Sequence, residues 1–373
     1  MYDKLERGYQ MKIGLLIVCG ILYCVILYLL TKVLIQTFQI KRRKIAYGIV
    51  LGIGGIPLFC IFDYIFRGNA FLAFMASIGY IVLGFFIYFV LVLPILGIIQ
   101  KGISFVRKQN RKFIGKSTIL ISSGISVLIC IIGIICAQVP EHKEYHLDIG
   151  LQNHMRLTVV SDIHYGATGS MLSLENMVKN INKTNADVVL LVGDVFDNKI
   201  KNLNHAHFAT VMNQIESTYG VYAVTGNHEF MTNTLSQIQS FYEGTQIRLL
   251  LDEEVIVADT FRLVGRIDYR GGRKEVKDVV SSSELPLIVL DHQPQFYRDA
   301  KDLADLQISG HTHNGQIFPG DLVVGLLNLV AFQSPSDGLH RYENFILSIT
   351  RGYGTWGFPM RLTGPSQIVI YNL

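Results

Sequence analysis

The sequence has 373 residues, half of them hydrophobic and 17% charged, with a formal net charge of +4. That average joins two unlike parts: residues 1–140 carry 15 Lys and Arg against 3 Asp and Glu and no histidine, whereas residues 141–373 carry 18 against 26 and all 11 histidines. The division excludes a single soluble globule, the apolar content of the second part excludes disorder, and its acidic balance argues against a nucleic-acid partner.

Four apolar runs fill the first part, at 13–34, 45–66, 70–99 and 117–139. Each reaches the ~20 residues that cross a hydrocarbon core of roughly 30 Å. Their succession predicts an all-α transmembrane domain over 1–140 with four helices. No small-residue cleavage site follows the first run, so it does not read as a signal peptide. Asp63 is the one carboxylate in the runs. It reads as an intramembrane site or as a residue facing headgroups or a partner helix, the second being the commoner case.

The loops set the expected orientation. Lys41, Arg42, Arg43 and Lys44 lie in the first loop, and Lys101, Arg107, Lys108, Arg111, Lys112 and Lys116 in the third. On the opposite side are Lys4, Arg7, Lys12 and Arg67. Ten cations against four put the two basic loops in the cytoplasm. A multi-pass cell-membrane protein is expected, with everything after Pro140 outside the cytoplasm. The five cysteines, Cys19, Cys24, Cys60, Cys130 and Cys136, all fall in the runs, and the second part has none. That usage suits an oxidising space and offers no disulfide framework.

From residue 141 onward the pattern is that of an α/β enzyme domain. Short β-branched runs at 156–160, 187–192 and 221–225 alternate with helical spacing at 172–182 and 205–217, as in successive βαβ units. Further strands are predicted at 254–257, 261–264, 287–290, 306–309, 345–349 and 367–371. More strands than helices in this later stretch suggest a second sheet packed on the first. The polar stretch 271–283 reads as a surface loop or short helix.

Each of five predicted strands runs into a cluster of metal-capable residues: Asp162 and His164; Asp194 and Asp197 after Gly193; Asn227, His228 and Glu229 after Gly226; Asp291 and His292; His311 and His313 after Gly310. Ligands bind at the carboxyl ends of strands in α/β sheets, so the five clusters are expected to converge. Carboxylate, amide and imidazole donors without thiolate suit Mn²⁺, Fe or Zn²⁺ better than Mg²⁺ or Ca²⁺. A spacing of two on extended backbone would aim Asp162 with His164, and His311 with His313, the same way. His205 and His207 repeat the His-x-His spacing, but at a predicted helix start with no strand before them, so they are left outside the site.

This ordered series, D-x-H, G-D-x-x-D, G-N-H-E, a lone His and G-H-x-H, resembles the calcineurin-like metallophosphoesterases. The stretches 310–316 and 351–361 look like the membrane-associated YkuE/YaeI-type branch, with Asn314 where that branch commonly has Gly. The resemblance covers about 145–373 and implies a four-layer α/β/β/α sandwich over 141–373. It implies two divalent metal ions (Mn, Fe or Zn). Asp162, His164 and His313 would hold one, Asn227, His292 and His311 the other, with Asp194 shared and Asp197 orienting ligands behind them. The activity implied is hydrolysis of a phosphodiester or phosphomonoester by a metal-bridging hydroxide. His228, spare in the ligand count, is the catalytic candidate for contacting the phosphoryl oxygen or protonating the leaving group. Arg351 and Arg361 are candidates for binding substrate phosphate or for stapling their Gly-rich loop. Membrane lipids are expected partners, and a phosphoester at or linked to the lipid surface the expected substrate. The competing reading is a non-catalytic, metal-stabilised membrane sensor or scaffold.

Overall fold

A computed structural model describes residues 2–65, 69–109 and 112–373. Phe66, Arg67 and Arg111 lie outside the described residues, as do the side chains of Lys4, Arg7 and Lys12. The chain divides into two compact units, Met1–Ile131 and Ile132–Leu373.

The first unit contains α1 (Tyr2–Phe38), α2 (Arg43–Gly55), α3 (Leu58–Ile65), α4 (Ala70–Val106) and most of α5 (Lys116–Gln138). Among the described residues four stretches are long and apolar enough to cross a membrane: Gly20–Phe38, Arg43–Ile65, Phe71–Val106 and Lys116–Gln138. The second apolar run, expected as one helix, is broken between α2 and α3 at Ile56 and Pro57. Proline has no N–H for the helix ladder and crowds the turn before it. Large apolar side chains such as Phe71, Ile98 and Leu120 are exposed, whereas Asp63 on α3 is buried.

The second unit is built on two six-stranded sheets. The first has the order β1 (Glu141–His146), β12 (Gln367–Asn372), β2 (Arg156–Val160), β3 (Val188–Val192), β4 (Val221–Val224), β5 (Ile247–Leu249). The second has the order β10 (Gly338–Tyr342), β11 (Phe345–Ile349), β9 (Leu306–Ser309), β8 (Leu287–Leu290), β7 (Phe261–Gly265), β6 (Glu253–Val257). Strands β2 to β5 run parallel, and so do β7, β8, β9 and β11. Within each sheet the strand exits that carry the polar clusters therefore share one end.

Side-chain alternation along each strand sorts the apolar residues into three layers. Leu157, Val159, Leu190 and Val192 of the first sheet meet Leu263, Ile288, Leu290 and Ile308 of the second in the central core. Val189, Leu191 and Ala223 face outward beneath α6 (Leu174–Asn182), α7 (His205–Met212) and α9 (Leu235–Tyr242), the short α8 (Glu229–Thr232) lying at the β4 exit. Val264, Leu287, Val289 and Leu347 line the outer face of the second sheet. That face is covered by short 3₁₀ turns, Val276–Asp278 and Pro294–Asp299, rather than by long helices. Val276 is buried, which anchors the polar 271–283 stretch.

Capping explains where the helices begin. Ser173 accepts a hydrogen bond from the Asn176 amide, so α6 starts at Leu174 rather than at 172. Asn204 caps α7 through the His207 amide, and α7 stops at Met212, five residues short of the predicted end. Each cap satisfies an amide that the first helical turn leaves without a partner.

Candidate metal centre

The five clusters do converge, but not by the extended geometry expected. Asp162, His164, Asp194, His311 and His313 have φ values of 53°, 52°, 50°, 74° and 49°. These are left-handed conformations, uncommon for residues with a Cβ, and they collect where surrounding structure over-determines them. Hydrogen bonds supply the constraint here. The amides of Asp162, His164 and Tyr165 donate to the carbonyls of Gly193, Asp194 and Val195. On the other side, the amides of Tyr353 and Gly354 donate to Ser161 and Asp162. The D-x-H segment is thus clamped between the β3 exit and the loop before β12. Its side chains converge because the backbone coils, not because it alternates.

Two glycines make the close approach possible. A Cβ on Gly226 would collide with the carboxylate of Asp194, and one on Gly310 with that of Asp162. In their absence the His228 amide reaches Asp194 Oδ1 at 2.8 Å and the His311 amide reaches both Asp162 oxygens at 3.1 Å.

Three groups of donor atoms lie close enough to hold a metal ion: Asp162, His164 and His313; Asp194, His292 and His311; and His164, Asp194 and His228. His313 Nε2 is 3.4 Å from Asp162 Oδ1 and 2.9 Å from His164 Nε2. His292 Nε2 is 3.0 Å from Asp194 Oδ2, and its Nδ1 donates to the Val192 carbonyl at 2.8 Å, so Nε2 is the nitrogen that would ligate a metal once it has lost its proton. The Asn227 Oδ1 atom is buried without a hydrogen-bond partner. A buried amide oxygen in that state carries a desolvation cost that a cation would offset. The donor set therefore fits divalent metal ions.

Electrostatics divide the imidazoles. Burial, reinforced by the His292 charge, pushes His311 down to about 4. Burial, then His164 and Arg361, hold His313 well below its ordinary value. His292 goes the other way: burial opposes its charge, but the Asp194 carboxylate outweighs it and raises the imidazole well above the usual range. Burial also works against ionisation of Asp194 and Asp197, and in both the surrounding imidazoles win and lower the carboxyl.

His228 is held by a carboxylate, Asp197. Its Nδ1 lies 2.8 Å from Asp197 Oδ2, and its Nε2 is 4.0 Å from Asp194 Oδ2. The ring meets that of Trp356 edge-on at 5.6 Å. Asp197 also lies 3.5 Å from His164 Nδ1, so one carboxylate supports two imidazoles.

Glu229 has a structural task that its place in the motif did not reveal. Its carboxylate accepts from the amides of Val195 (2.6 Å), Phe196 (3.4 Å) and Gly226 (2.9 Å), tying the β3 exit to the β4 exit. The two arginines also separate. Arg351 is held by Asp337 at 2.8 Å and lies 3.9 Å from Glu141, so it staples its loop. Arg361 is fully buried; it donates to the Gly354 carbonyl, and its Nη2 is 3.1 Å from His313 Nδ1. His205 and His207 fall in none of the metal-holding groups. His205 packs against Phe241, and His207 lies 3.4 Å from Glu175 on the surface.

The sequence profile of the calcineurin-like phosphoesterases matches residues 155–315, a span that opens just before β2 and closes just after His313. Residues 155–315 thus match a calcineurin-like phosphoesterase domain. Among its relatives is an uncharacterized metallophosphoesterase of Helicobacter pylori, 30% identical over 245 residues, 63% of this chain and 64% of that protein. A transmembrane protein with metallophosphoesterase domain from Danio rerio is 32% identical over 235 residues, covering 58% of this chain and 52% of that one. The uncharacterized metallophosphoesterase YkuE of Bacillus subtilis is 24% identical over 234 residues, 58% of this chain and 78% of that protein. The matches thus span less than two thirds of the first two relatives. Within the metallophosphoesterase domain all five sequence blocks stand at strand exits, and the two sheets are those the resemblance implied.

Proposed function

We propose that the chain is a membrane-anchored, two-metal phosphoesterase acting on a phosphodiester or phosphomonoester carried at the lipid surface. The observation that carries this reading is the convergence of Asp162, His164, Asp194, His228, His292, His311 and His313, from five strand exits, in three overlapping donor groups. We assign Asp162, His164 and His313 to one metal and Asn227, His292 and His311 to the other, with Asp194 serving both. Two of the three metal-holding groups coincide with this assignment, and the unpartnered Asn227 oxygen supports the second site. Imidazole and carboxylate donors without thiolate favour Mn²⁺, Fe or Zn²⁺. When bound, such a pair clamps a phosphoryl group and supplies a water acidic enough to act near neutral pH.

The chain's own residues would do the rest. Asp197 holds His228 by Nδ1, which fixes the tautomer and leaves Nε2 on the side of Asp194. In this reading His228 acts as the imidazolium paired with Asp197: Nε2–H contacts the phosphoryl oxygen and passes its proton to the departing oxygen, which leaves the ring in its neutral Nδ1–H form. Arg361 acts through His313, bearing on the ring nitrogen away from Asp162. Arg351, already paired with Asp337, takes no part.

Residues 1–140 are assigned to the membrane and 141–373 to catalysis. The tether supports a substrate at the bilayer: α5 ends at Gln138 and β1, a strand the sequence pattern does not predict, begins at Glu141. At ~3.3–3.6 Å per residue, two linking residues give almost no reach. The ten-to-four loop charge supports a catalytic domain outside the cytoplasm. The test is hydrolysis by full-length protein in bilayers of a lipid-linked phosphate against a soluble phosphodiester, beside Asp194→Asn. Metal-dependent turnover that favours the lipid-linked ester is expected. Turnover of only the soluble ester would overturn the substrate class, and turnover of neither would overturn the enzyme reading.

A further inference from the structure

Seven residues after His313 the chain leaves the sheet and forms a helix unlike any other in its unit. α10 (Gly320–Leu327) continues into a π-helical turn, Asn328–Phe332, and no residue of either is buried. Leu322, Val323, Leu326, Leu327, Leu329 and Val330 are between 55% and 70% exposed. The only charged side chain in the segment is Asp321. A folded domain rarely leaves so continuous an apolar surface in water. At 13 residues it is also too short to cross a bilayer, which takes ~20.

Its attachments indicate what covers it. Gln316, just before the helix, accepts from the Leu362 amide at 2.8 Å, and its side chain bonds the backbone of Trp356 and Phe358. The same loop is bonded to the end of α5, whose residues from Ile132 onward belong to this unit. The Arg361 amide donates to Gly133 O at 2.9 Å, the Ser366 amide to Cys136 O at 3.1 Å, and the Ser366 hydroxyl to Ala137 O at 2.8 Å. Gly133 lies five residues inside the end of a helix apolar enough to span, about 7.5 Å along its axis at 1.5 Å per residue. The loop that roots α10 is therefore bonded to the last turns of a spanning helix, where headgroups begin. Trp356, the only tryptophan of the chain, is in that loop and 46% exposed. Tryptophan at such a boundary is the usual membrane-interface anchor.

We propose that the segment Gly320–Phe332 lies in the lipid surface as an interfacial helix and holds the mouth of the metal centre at headgroup level. The occupant of its apolar face is the acyl region of the bilayer. This rests on the membrane-anchored reading above but not on the identity of the substrate.

The experiment uses full-length protein in phosphatidylcholine bilayers. Trp356→Phe removes the native fluorophore, and Leu326→Trp in that background places a new one on the helix. Ile256→Trp, at an exposed apolar position of β6, is the matched control. An interfacial helix sits ~5–10 Å deep, so lipids brominated midway along their acyl chains should quench roughly half of the Leu326→Trp emission. The control should be unaffected. Equal, low quenching of the two would overturn the proposal. So would an unquenched emission that turns blue only as protein concentration rises, which would mean that a second copy covers the helix. Quenching without turnover of any lipid-linked phosphate would leave the docked helix standing while removing the substrate reading. A further arm substitutes Leu326→Asp with Leu329→Asp: KM for a lipid-linked ester should rise about tenfold while kcat on a soluble ester stays within about twofold.

Discussion

Nδ1 of His228 stands 2.8 Å from the Asp197 carboxylate, and both side chains are almost entirely removed from water. A pair so placed fixes the imidazole's tautomer and steadies its charged form. His228→Ala should therefore lower kcat by ~10²–10⁴ with metal content unchanged. Asp197→Asn should lower kcat comparably, and the double variant no further than the worse single one, because the two act as a unit. Asp197 also touches His164, so the comparison belongs at saturating metal. Metal analysis beside the kinetics decides it: a His228→Ala protein that has lost metal would make His228 a ligand, as its grouping with His164 and Asp194 allows.

The opposed imidazoles predict an unusual pH profile for the metal-free protein. Below pH 6.5 the unfolded chain protonates at His311 and His313, whereas the folded chain resists, at His311 down to about 4. The unfolded state then binds more protons, so stability falls as pH falls; the two imidazoles are opposed by Glu229, whose carboxyl burial and Asp194 raise to about 8, so the limiting slope is ~1.4 kcal/mol per unit. Above pH 6.5 the folded state keeps the His292 proton that the unfolded state releases, so stability falls again as pH rises. Chelator-treated protein should be most stable near pH 6.5 by urea unfolding. Added divalent metal, which needs neutral imidazoles, should move the maximum upward. A monotonic profile without metal would contradict the assigned directions.

Glu229 predicts a stability effect distinct from catalysis. Removing its carboxylate leaves the buried amides of Val195, Phe196 and Gly226 without their acceptor. At ~1–3 kcal/mol for each unsatisfied group, Glu229→Ala should cost ~3 kcal/mol or more. A domain of this size loses ~2–4 °C in Tm per kcal/mol, so a fall of about 10 °C is expected by thermal unfolding. Metal should still restore part of the loss through its binding free energy. A wild-type Tm would mean that water replaces the carboxylate.

What the sequence made legible was the chemistry at the strand exits. Strands β2, β8, β9 and β11 match their predicted bounds, since each is a dense β-branched or leucine run buried on both faces. The missed strands lack that signal. β1 reads Glu-His-Lys-Glu-Tyr-His and survives at a sheet edge by parallel pairing with β12, which no local pattern announces. β5 is three residues long, and β10 pairs only with β11 among the described residues. The donors were readable as types, but not the left-handed backbone that aims them, because it comes from hydrogen bonds to loops some 30 and 190 residues away. The fates of Arg351 and Arg361 were open for the same reason: Asp337 claims one and His313 meets the other. The α10 helix drew no notice as a sequence, because its apolar residues look like core until their exposure is seen.

Orientation is the prediction most open to direct test. It depends on the charge of two loops, one of which contains Arg111 and the other Lys41 to Lys44, against Arg67 and the N-terminal cations. Lysine and arginine resist transfer across the bilayer, so the richer side stays in the cytoplasm. With four spans both termini would then share the outer face. Protease added to intact spheroplasts should cut after residue 140 and leave 101–116 whole until the membrane is opened. The 270–283 stretch, anchored by Val276 but with Arg270, Lys274 and Lys277 on the surface, offers cleavage sites that need no unfolding of a sheet. Protection of those sites in intact cells, with cleavage only after lysis, would place the metallophosphoesterase domain in the cytoplasm. The lipid-facing role of α10 would then apply to the inner leaflet, and the substrate would be sought among phosphate esters made on that side.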